Sequence, residues 1–164
     1  MKDQNQALLS KIQHKLFNLK SLFSVLKLID TEIKKVKPEN IIQYIPSKIY
    51  LESFAFELII KIFYELDLKN EAPKTHDIDE LFSKLNREST NFIKNKFDNI
   101  NIKKIKNLPK DLDVYKPNFE EVLKNNSEIV KNFKYIPKLP NGSIVSLPFL
   151  RVLCKKIEDR INNF

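Results

Sequence analysis

Glycine is the residue that this chain most nearly lacks, with one, Gly142, among 164 residues. β-Sandwiches and barrels need glycine at many turns, and parallel α/β folds usually need it in the loops between strands and helices. Loops that cradle phosphate need several glycines for close backbone approach, so Walker-type and dinucleotide-binding sites are excluded. The shortage of glycine, beside eight prolines, predicts an all-α protein.

Cysteine and long apolar runs are also scarce. The single Cys154 excludes an intramolecular disulfide framework and a cysteine zinc site, and its place on a predicted apolar face indicates a buried structural thiol. No run approaches the ~20 apolar residues of a membrane span, and the N-terminal segment lacks the apolar region of a signal peptide. We expect a soluble cytoplasmic protein with no membrane partner, no metal and no cofactor.

Acidic residues are fewer than basic ones. The chain has 21 Asp and Glu and 29 Lys and Arg, which gives a net charge of +8. Almost all of the positive charge is lysine, because the only arginines are Arg87, Arg151 and Arg160. A basic surface of this size favours a polyanion such as RNA, or an acidic protein, as the partner. A solvated lysine surface that binds neither is the simpler alternative.

The basic stretch between Asp98 and Lys116 is interrupted by proline and only weakly periodic, so we predict an extended excursion there. Isoleucines alternate with its lysines, which could follow a phosphate backbone. A solvated loop is the alternative. The candidate contacts with a polyanion are Lys103, Lys104, Lys106 and Lys110.

Apolar side chains recur in steps of three and four in five stretches, which predicts five helices and no strand. The predicted helices cover residues 4–36, 47–68, 78–97, 119–136 and 146–161. The first is a long amphipathic helix. No repeat and no second core are evident, so we expect one helical domain over residues 1–164.

The second predicted helix is apolar around most of its circumference. Its polar exceptions, Ser53, Glu57, Lys61 and Tyr64, fall in one arc of roughly 80° at 100° per residue. A helix this apolar is expected at the centre of a bundle. Glu57 and Lys61, four positions apart, are therefore either a structural pair inside the bundle or a binding or catalytic pair that faces a groove.

His76 directly precedes the third predicted helix, where Asp77 and Glu80 have the spacing of a capping box, although Thr75 could also be the cap. One reading of His76 is a proton-transfer group or an anion contact beside the positive helix end. The other is a histidine that fixes the loop by hydrogen bonds to its neighbours. His14, opposite the apolar stripe of its helix, is expected at the surface.

Three segments in this order, FELIIKIFYEL (56–66), THDIDELFSKL (75–85) and NFEEVLKNNSEIVKNFKYI (118–136), resemble a group of the HEPN helical-bundle superfamily. The resemblance implies an antiparallel bundle that is often a homodimer. In many relatives it implies a metal-independent endoribonuclease of toxin–antitoxin, abortive-infection or other phage-defence systems. Their active site is an Arg-x4-6-His motif that acts on the 2′-hydroxyl and the scissile phosphate of RNA.

The chain departs from that motif, because no histidine lies downstream of any of its arginines. Where related sequences often carry Arg-Tyr in the fourth helix, it has Lys134-Tyr135, which keeps the charge but loses the planar fork that grips phosphate. Catalysis, if present, would use His76, Lys61, Glu57 and Lys134.

We therefore expect an HEPN-like protein that binds RNA or a protein partner in a defence or toxin–antitoxin setting. A structural or regulatory adaptor that docks a partner through an apolar helix face is the alternative. A pocket for a small molecule or nucleotide around Glu57 and Lys61 is a third possibility, although no phosphate loop accompanies that pair.

Overall fold

The computed structural model describes residues 2–106, 118–132 and 145–163, with the side chains of 4–100 and of the two later ranges. Its elements, all of them helical, confirm the all-α fold for the described part of the chain. They are α1 (Lys2–Ile33), a short 3-10 helix (Pro38–Gln43), α2 (Ile45–Leu68), α3 (Ile78–Ser83), α4 (Arg87–Lys106), α5 (Phe119–Lys131) and α6 (Leu147–Ile161).

Helix α2 lies at the centre, as its apolar circumference predicts. It packs against α1, α3, α5 and α6. Residues on several sides of it, including Phe56, Ile59, Ile60 and Phe63, are completely buried. A helix enclosed in this way can keep polar side chains only where neighbouring elements supply partners for them.

Helices α1 and α2 run antiparallel, because ion pairs join the early part of each helix to the late part of the other. Lys15 of α1 pairs with Glu65 near the end of α2, and Lys48 at the start of α2 pairs with Asp30 near the end of α1. The prolines between the helices sit where a missing N–H costs nothing. Pro38 begins the 3-10 helix, and Pro46 lies in the first turn of α2.

The prediction of one helix over 78–97 is wrong, because α3 ends at Ser83 and α4 begins at Arg87. Asn86 starts the new helix, since its side-chain oxygen accepts the backbone N–H of Ser89 at 2.8 Å. The extended excursion predicted from Asp98 is also wrong over its first part. Helix α4 continues as far as Lys106.

The last two helices begin near the predicted positions. Asn118 caps α5 in a reciprocal capping box with Glu121, a stronger start signal than the proline before it. Helix α5 ends at Lys131, earlier than predicted. Ser146 occupies the N-cap position of α6, although its side chain makes no capping hydrogen bond.

Candidate functional site

The polar arc of α2 is bonded to another helix at Ser53. Ser53, which is completely buried, donates its hydroxyl to the Asn126 side-chain oxygen of α5 at 2.8 Å. Asn126 in turn donates to the Val122 carbonyl at 2.6 Å. At the Ser53 end of the arc, the polar groups are buried and hydrogen-bonded to one another, as is typical of a structural contact.

One helical turn further along, Glu57 holds two basic groups at once. Its carboxylate is 1% exposed. Lys61 Nζ donates to Oε1 at 2.6 Å, and His76 Nδ1 lies 3.1 Å from Oε2 and 3.2 Å from Oε1. These three residues form the Glu57 cluster. The sequence predicts the pairing of Glu57 with Lys61, but it does not predict that His76 shares the same carboxylate.

Exposure rises steeply across the Glu57 cluster. The Lys61 side chain is 15% exposed, whereas the His76 side chain is 59% exposed. A buried anion therefore anchors an imidazole that faces solvent. In a purely internal ion pair, by contrast, both partners are removed from water.

The hydrogen bonds also assign the tautomer of His76. An ionised carboxylate can only accept hydrogen bonds, so the nitrogen facing Glu57 must carry a proton. In the neutral imidazole this leaves Nε2 unprotonated, with its lone pair available. A carboxylate bound to one ring nitrogen is the arrangement that orients histidines for proton transfer or anion binding at the other.

The loop before α3 is fixed on both sides of His76. Asp77 Oδ1 accepts the backbone N–H of Glu80 at 3.1 Å, which confirms Asp77 as the cap of α3. The Asp77 backbone N–H donates to the Thr75 hydroxyl at 3.0 Å. Short-range bonds of this kind hold the backbone on which the imidazole is mounted.

Lys131 of α5 adds a second cation near the Glu57 cluster by pairing with Asp77 at 2.8 Å. The Lys131 ammonium and, after it, the Glu80 backbone N–H hold the pKa of the Asp77 carboxyl below its ordinary value. Bonding to Asp77 raises the pKa of Lys131 in return. Because this contact joins the His76 loop to a helix far away in sequence, no local pattern predicts it.

Of the predicted site residues, the structure brings Glu57, Lys61 and His76 together. Lys134 and Lys110 lie outside the described residues. Lys103, Lys104 and Lys106 are placed in the backbone of α4, and their side chains lie outside the described part as well. The predicted catalytic role of Lys134 and the predicted contacts of the other four lysines with a polyanion stay predictions.

Two single residues match their expected roles. His14 is exposed on α1. Cys154 is buried, and burial raises the pKa of its thiol to about 11. A thiol with so high a pKa is protonated near neutral pH and is a poor nucleophile or metal ligand.

A second acidic cluster on α2 is not predicted from the sequence. The Asp67 carboxylate, which is fully buried, accepts Arg160 Nη2 at 2.8 Å, the Ser89 hydroxyl at 2.9 Å and the Asn86 side-chain amide at 2.9 Å. Arg160 also lies over the Phe63 ring, 5.7 Å from its centroid. These contacts define the Asp67 cluster, which ties α2, α4 and α6 together.

A third buried carboxylate, Glu65, is shared between α1 and the chain that follows α2. Its Oε1 accepts Lys15 Nζ and, at 3.0 Å, the backbone N–H of Ala72. The other oxygen, Oε2, is buried and has no hydrogen-bond partner among the residues that the structure describes. The basic partner of Glu65 in the described residues, Lys15, has a side chain that is 24% exposed, much less than that of His76 beside Glu57.

Comparison with known proteins leaves the family open. No family model matches the chain, and neither the curated proteins nor the solved structures include a match. Membership of the HEPN superfamily therefore stays a prediction. In the described part of the chain, no helix combines the length and the apolar character needed to cross a membrane, and no three His, Cys, Asp or Glu side chains gather as metal ligands.

Proposed function

We propose that this protein binds RNA and that the Glu57 cluster contacts the phosphodiester backbone. The observation that carries the proposal is the imidazole of His76, which is bound through Nδ1 to a carboxylate that is 1% exposed while the ring itself is 59% exposed. A residue serving only to fix its own loop does not need an orienting carboxylate and an open ring at once.

The surrounding charge supports a contact with an anion. Lys61 shares the Glu57 carboxylate with His76, and Lys131 pairs with Asp77, the residue next to His76 in the chain. Together with the overall charge of +8, this arrangement favours phosphate over a neutral or cationic ligand.

Binding, and not cleavage, is the activity that we propose. Attack of a 2′-hydroxyl on the adjacent phosphate needs a base to take the hydroxyl proton and an acid to protonate the departing 5′-oxygen. His76 supplies the base. Within the described residues, the proton donor in the cluster is Lys61, which is bound to Glu57 at 2.6 Å, and the other histidine, His14, lies on the exposed side of α1.

The family resemblance suggests the biological system in which the protein acts. We propose that the protein acts as a homodimer in a phage-defence or toxin–antitoxin system, where binding RNA without the standard nuclease motif would sequester or guide a transcript. An acidic protein that competes for the same basic surface would fit the same setting.

Fluorescence anisotropy with a short single-stranded RNA tests the proposal. We expect His76→Ala to weaken binding about fivefold to tenfold, as for the loss of one charge-assisted contact. The matched control is His14→Ala, which removes the only other histidine, and we expect it to leave affinity unchanged. Equal affinities of the two variants, or no binding by the native protein at low salt, would overturn the proposal.

A regulatory adaptor is the second candidate, and one observation favours it. An apolar groove of about 310 Å³ lies between α1 and α2, lined by Leu22, Val25, Phe54 and Leu58 together with Asn18 and Ser21. Grooves of this kind accept an apolar helix from another protein. The RNA titration separates the candidates, because a protein that acts only as an adaptor would not bind RNA through His76.

A further inference from the structure

Positive charge is concentrated on two of the helices. Helix α4 has six basic and two acidic residues, and α6 has four basic and two acidic residues. Their net charges of +4 and +2 make up six of the chain's +8. The helices around the Glu57 cluster, α2, α3 and α5, each contain more acidic than basic residues. A polyanion that contacts the Glu57 cluster alone would therefore miss most of the positive charge.

Helices α4 and α6 pack against each other, and a row of cations follows the line where they meet. Lys96 of α4 and Lys156 of α6 both lie over the ring of Phe92, each with Nζ 5.5 Å from the ring centroid. The ring itself is half-buried. Cation–π contacts with one ring hold these two long side chains close together at the surface, although their charges repel each other.

The row of cations continues into a polar recess of about 320 Å³. Its basic lining residues are Lys69, which follows α2, and Lys156 and Arg160 of α6. Burial and, after it, the charge of Arg160 lower the pKa of Lys69, and together they outweigh the opposite effect of Asp67. Two cations are thus held close enough to repel each other, and an anion in the recess would reduce that repulsion.

Five residues form what we call the α4–α6 crease: Lys69, Phe92, Lys96, Lys156 and Arg160. Acidic groups lie beside it, because Asp67 is buried against Arg160, and Glu88 and Asp159 line the recess. Four cations beside three acids give only a small net charge, so a single phosphate should bind weakly. Glu88 is 78% exposed and meets Lys156 at 3.2 Å, so a phosphate can replace it at little cost.

We infer that the α4–α6 crease is a second contact surface for the backbone of single-stranded RNA, separate from the Glu57 cluster. Cations arranged in a row suit a chain of phosphates better than one compact anion. A protein partner would also need apolar contact area, and among the residues that line the recess only Leu66 is apolar.

The crease and the Glu57 cluster are near enough for one RNA strand to contact both. Asp67, the partner of Arg160, lies ten residues after Glu57 on α2, which is about 15 Å at 1.5 Å per residue. The inference rests on the proposed function in taking RNA as the ligand, but it does not depend on His76.

Fluorescence anisotropy with an oligouridine of about 12 nucleotides, at several salt concentrations, tests the inference. We expect the combined substitutions Lys96→Gln and Lys156→Gln to weaken binding about tenfold at low salt. The slope of log K against log salt should become shallower by about 1.4, since each phosphate contact to a single strand contributes about 0.7. Arginine at both positions keeps the charge, so that variant should bind at least as tightly as the native chain.

The matched control combines Lys27→Gln with Lys34→Gln, which removes the same charge from two exposed lysines outside the crease. We expect it to weaken binding less than about twofold, through the change in net charge alone. Circular dichroism of each variant checks that the helices are intact. Equal losses in the control and in the crease variant would overturn the inference.

The outcomes also separate the crease from the Glu57 cluster. Affinity that falls with the crease variant but not with His76→Ala would support the crease and overturn the role of the Glu57 cluster. A fall with His76→Ala alone would do the reverse, and a native chain that binds no RNA at low salt would overturn both. Poly-glutamate that binds more tightly than oligouridine through Lys96 and Lys156 would assign the crease to an acidic protein and overturn the inference.

Discussion

The Glu57 and Asp67 clusters place buried carboxylates on the same helix, yet their surroundings differ. Asp67 is enclosed by donors from α4 and α6, and its strongest partner, the Arg160 side chain, is 23% exposed. Glu57 instead extends to His76, whose side chain is 59% exposed. Burial of the acid is common to both, so burial does not mark a site. The exposed imidazole of His76 distinguishes the Glu57 cluster, since its other basic group, Lys61, is as buried as Arg160.

The Glu57 and Asp67 clusters should therefore have different roles. The Asp67 cluster should contribute mainly to the stability of the fold. The Glu57 cluster should contribute less to stability and more to binding, because one of its members already contacts water. The substitutions below test this difference, from the largest expected change in the free energy of unfolding to the smallest.

Arg160→Ala should have the largest effect. It leaves the buried Asp67 carboxylate without its charged partner, and we expect a loss of about 3 kcal/mol in the free energy of unfolding. Urea unfolding followed by circular dichroism measures it. The matched control is Arg151→Ala, which removes an exposed arginine of the same helix and should change stability little. Equal effects of the two substitutions would contradict the structural role of the Asp67 cluster.

Lys61→Met should cost less, about 2 kcal/mol, because Glu57 keeps His76 as a second partner. Replacing Glu57 by Leu in the same chain should recover part of the loss, since no buried charge is then left unpaired. A double-mutant cycle by urea unfolding gives the coupling free energy. A coupling below about 0.5 kcal/mol would show that Glu57 and Lys61 do not stabilise each other in the fold.

Asp77→Ala should cost about 1 kcal/mol, the usual value for a lost N-cap. Asp77→Asn is the matched variant, because asparagine keeps the cap but not the charge that pairs with Lys131. It should therefore lose less stability than the alanine variant.

The pH dependence follows from the lowered pKa of Asp77 in the folded protein. Because the folded value lies below the ordinary value of 3.8, the carboxylate stabilises the fold above that pH. Its contribution is lost as the pH falls through the lowered pKa. The Asp77→Asn variant should lose less stability on acidification than the native chain, and thermal melts in this pH range measure the difference. Parallel curves would contradict the assignment.

Local spacing explains which parts of this structure the sequence predicts. Glu57 and Lys61 are one helical turn apart, so the periodicity that places α2 also places the pair. The same periodicity misleads at Asn86, where apolar spacing continues across a break that a capping side chain creates. A cap is a weak signal when the residues on both sides keep the helical pattern.

Local periodicity does not predict contacts between segments that are distant in sequence. The loop path that carries His76 to Glu57 depends on the packing of α3, and the Arg160–Asp67 pair depends on where α6 meets α2. Neither has a signature in the order of residues along one helix. The sequence thus predicts the candidates His76, Glu57 and Lys61 but does not predict that one carboxylate joins them.

The most direct test of the account is a long-range ¹H–¹⁵N spectrum of the two histidine rings, recorded before and during addition of a short single-stranded RNA. Before RNA is added, the neutral His76 ring should carry its proton on Nδ1, as the bond to Glu57 requires. On addition of RNA, the Nε2 signal of His76 should shift while the signals of His14 stay in place. A His76 Nε2 signal that does not move at saturating RNA would contradict the account.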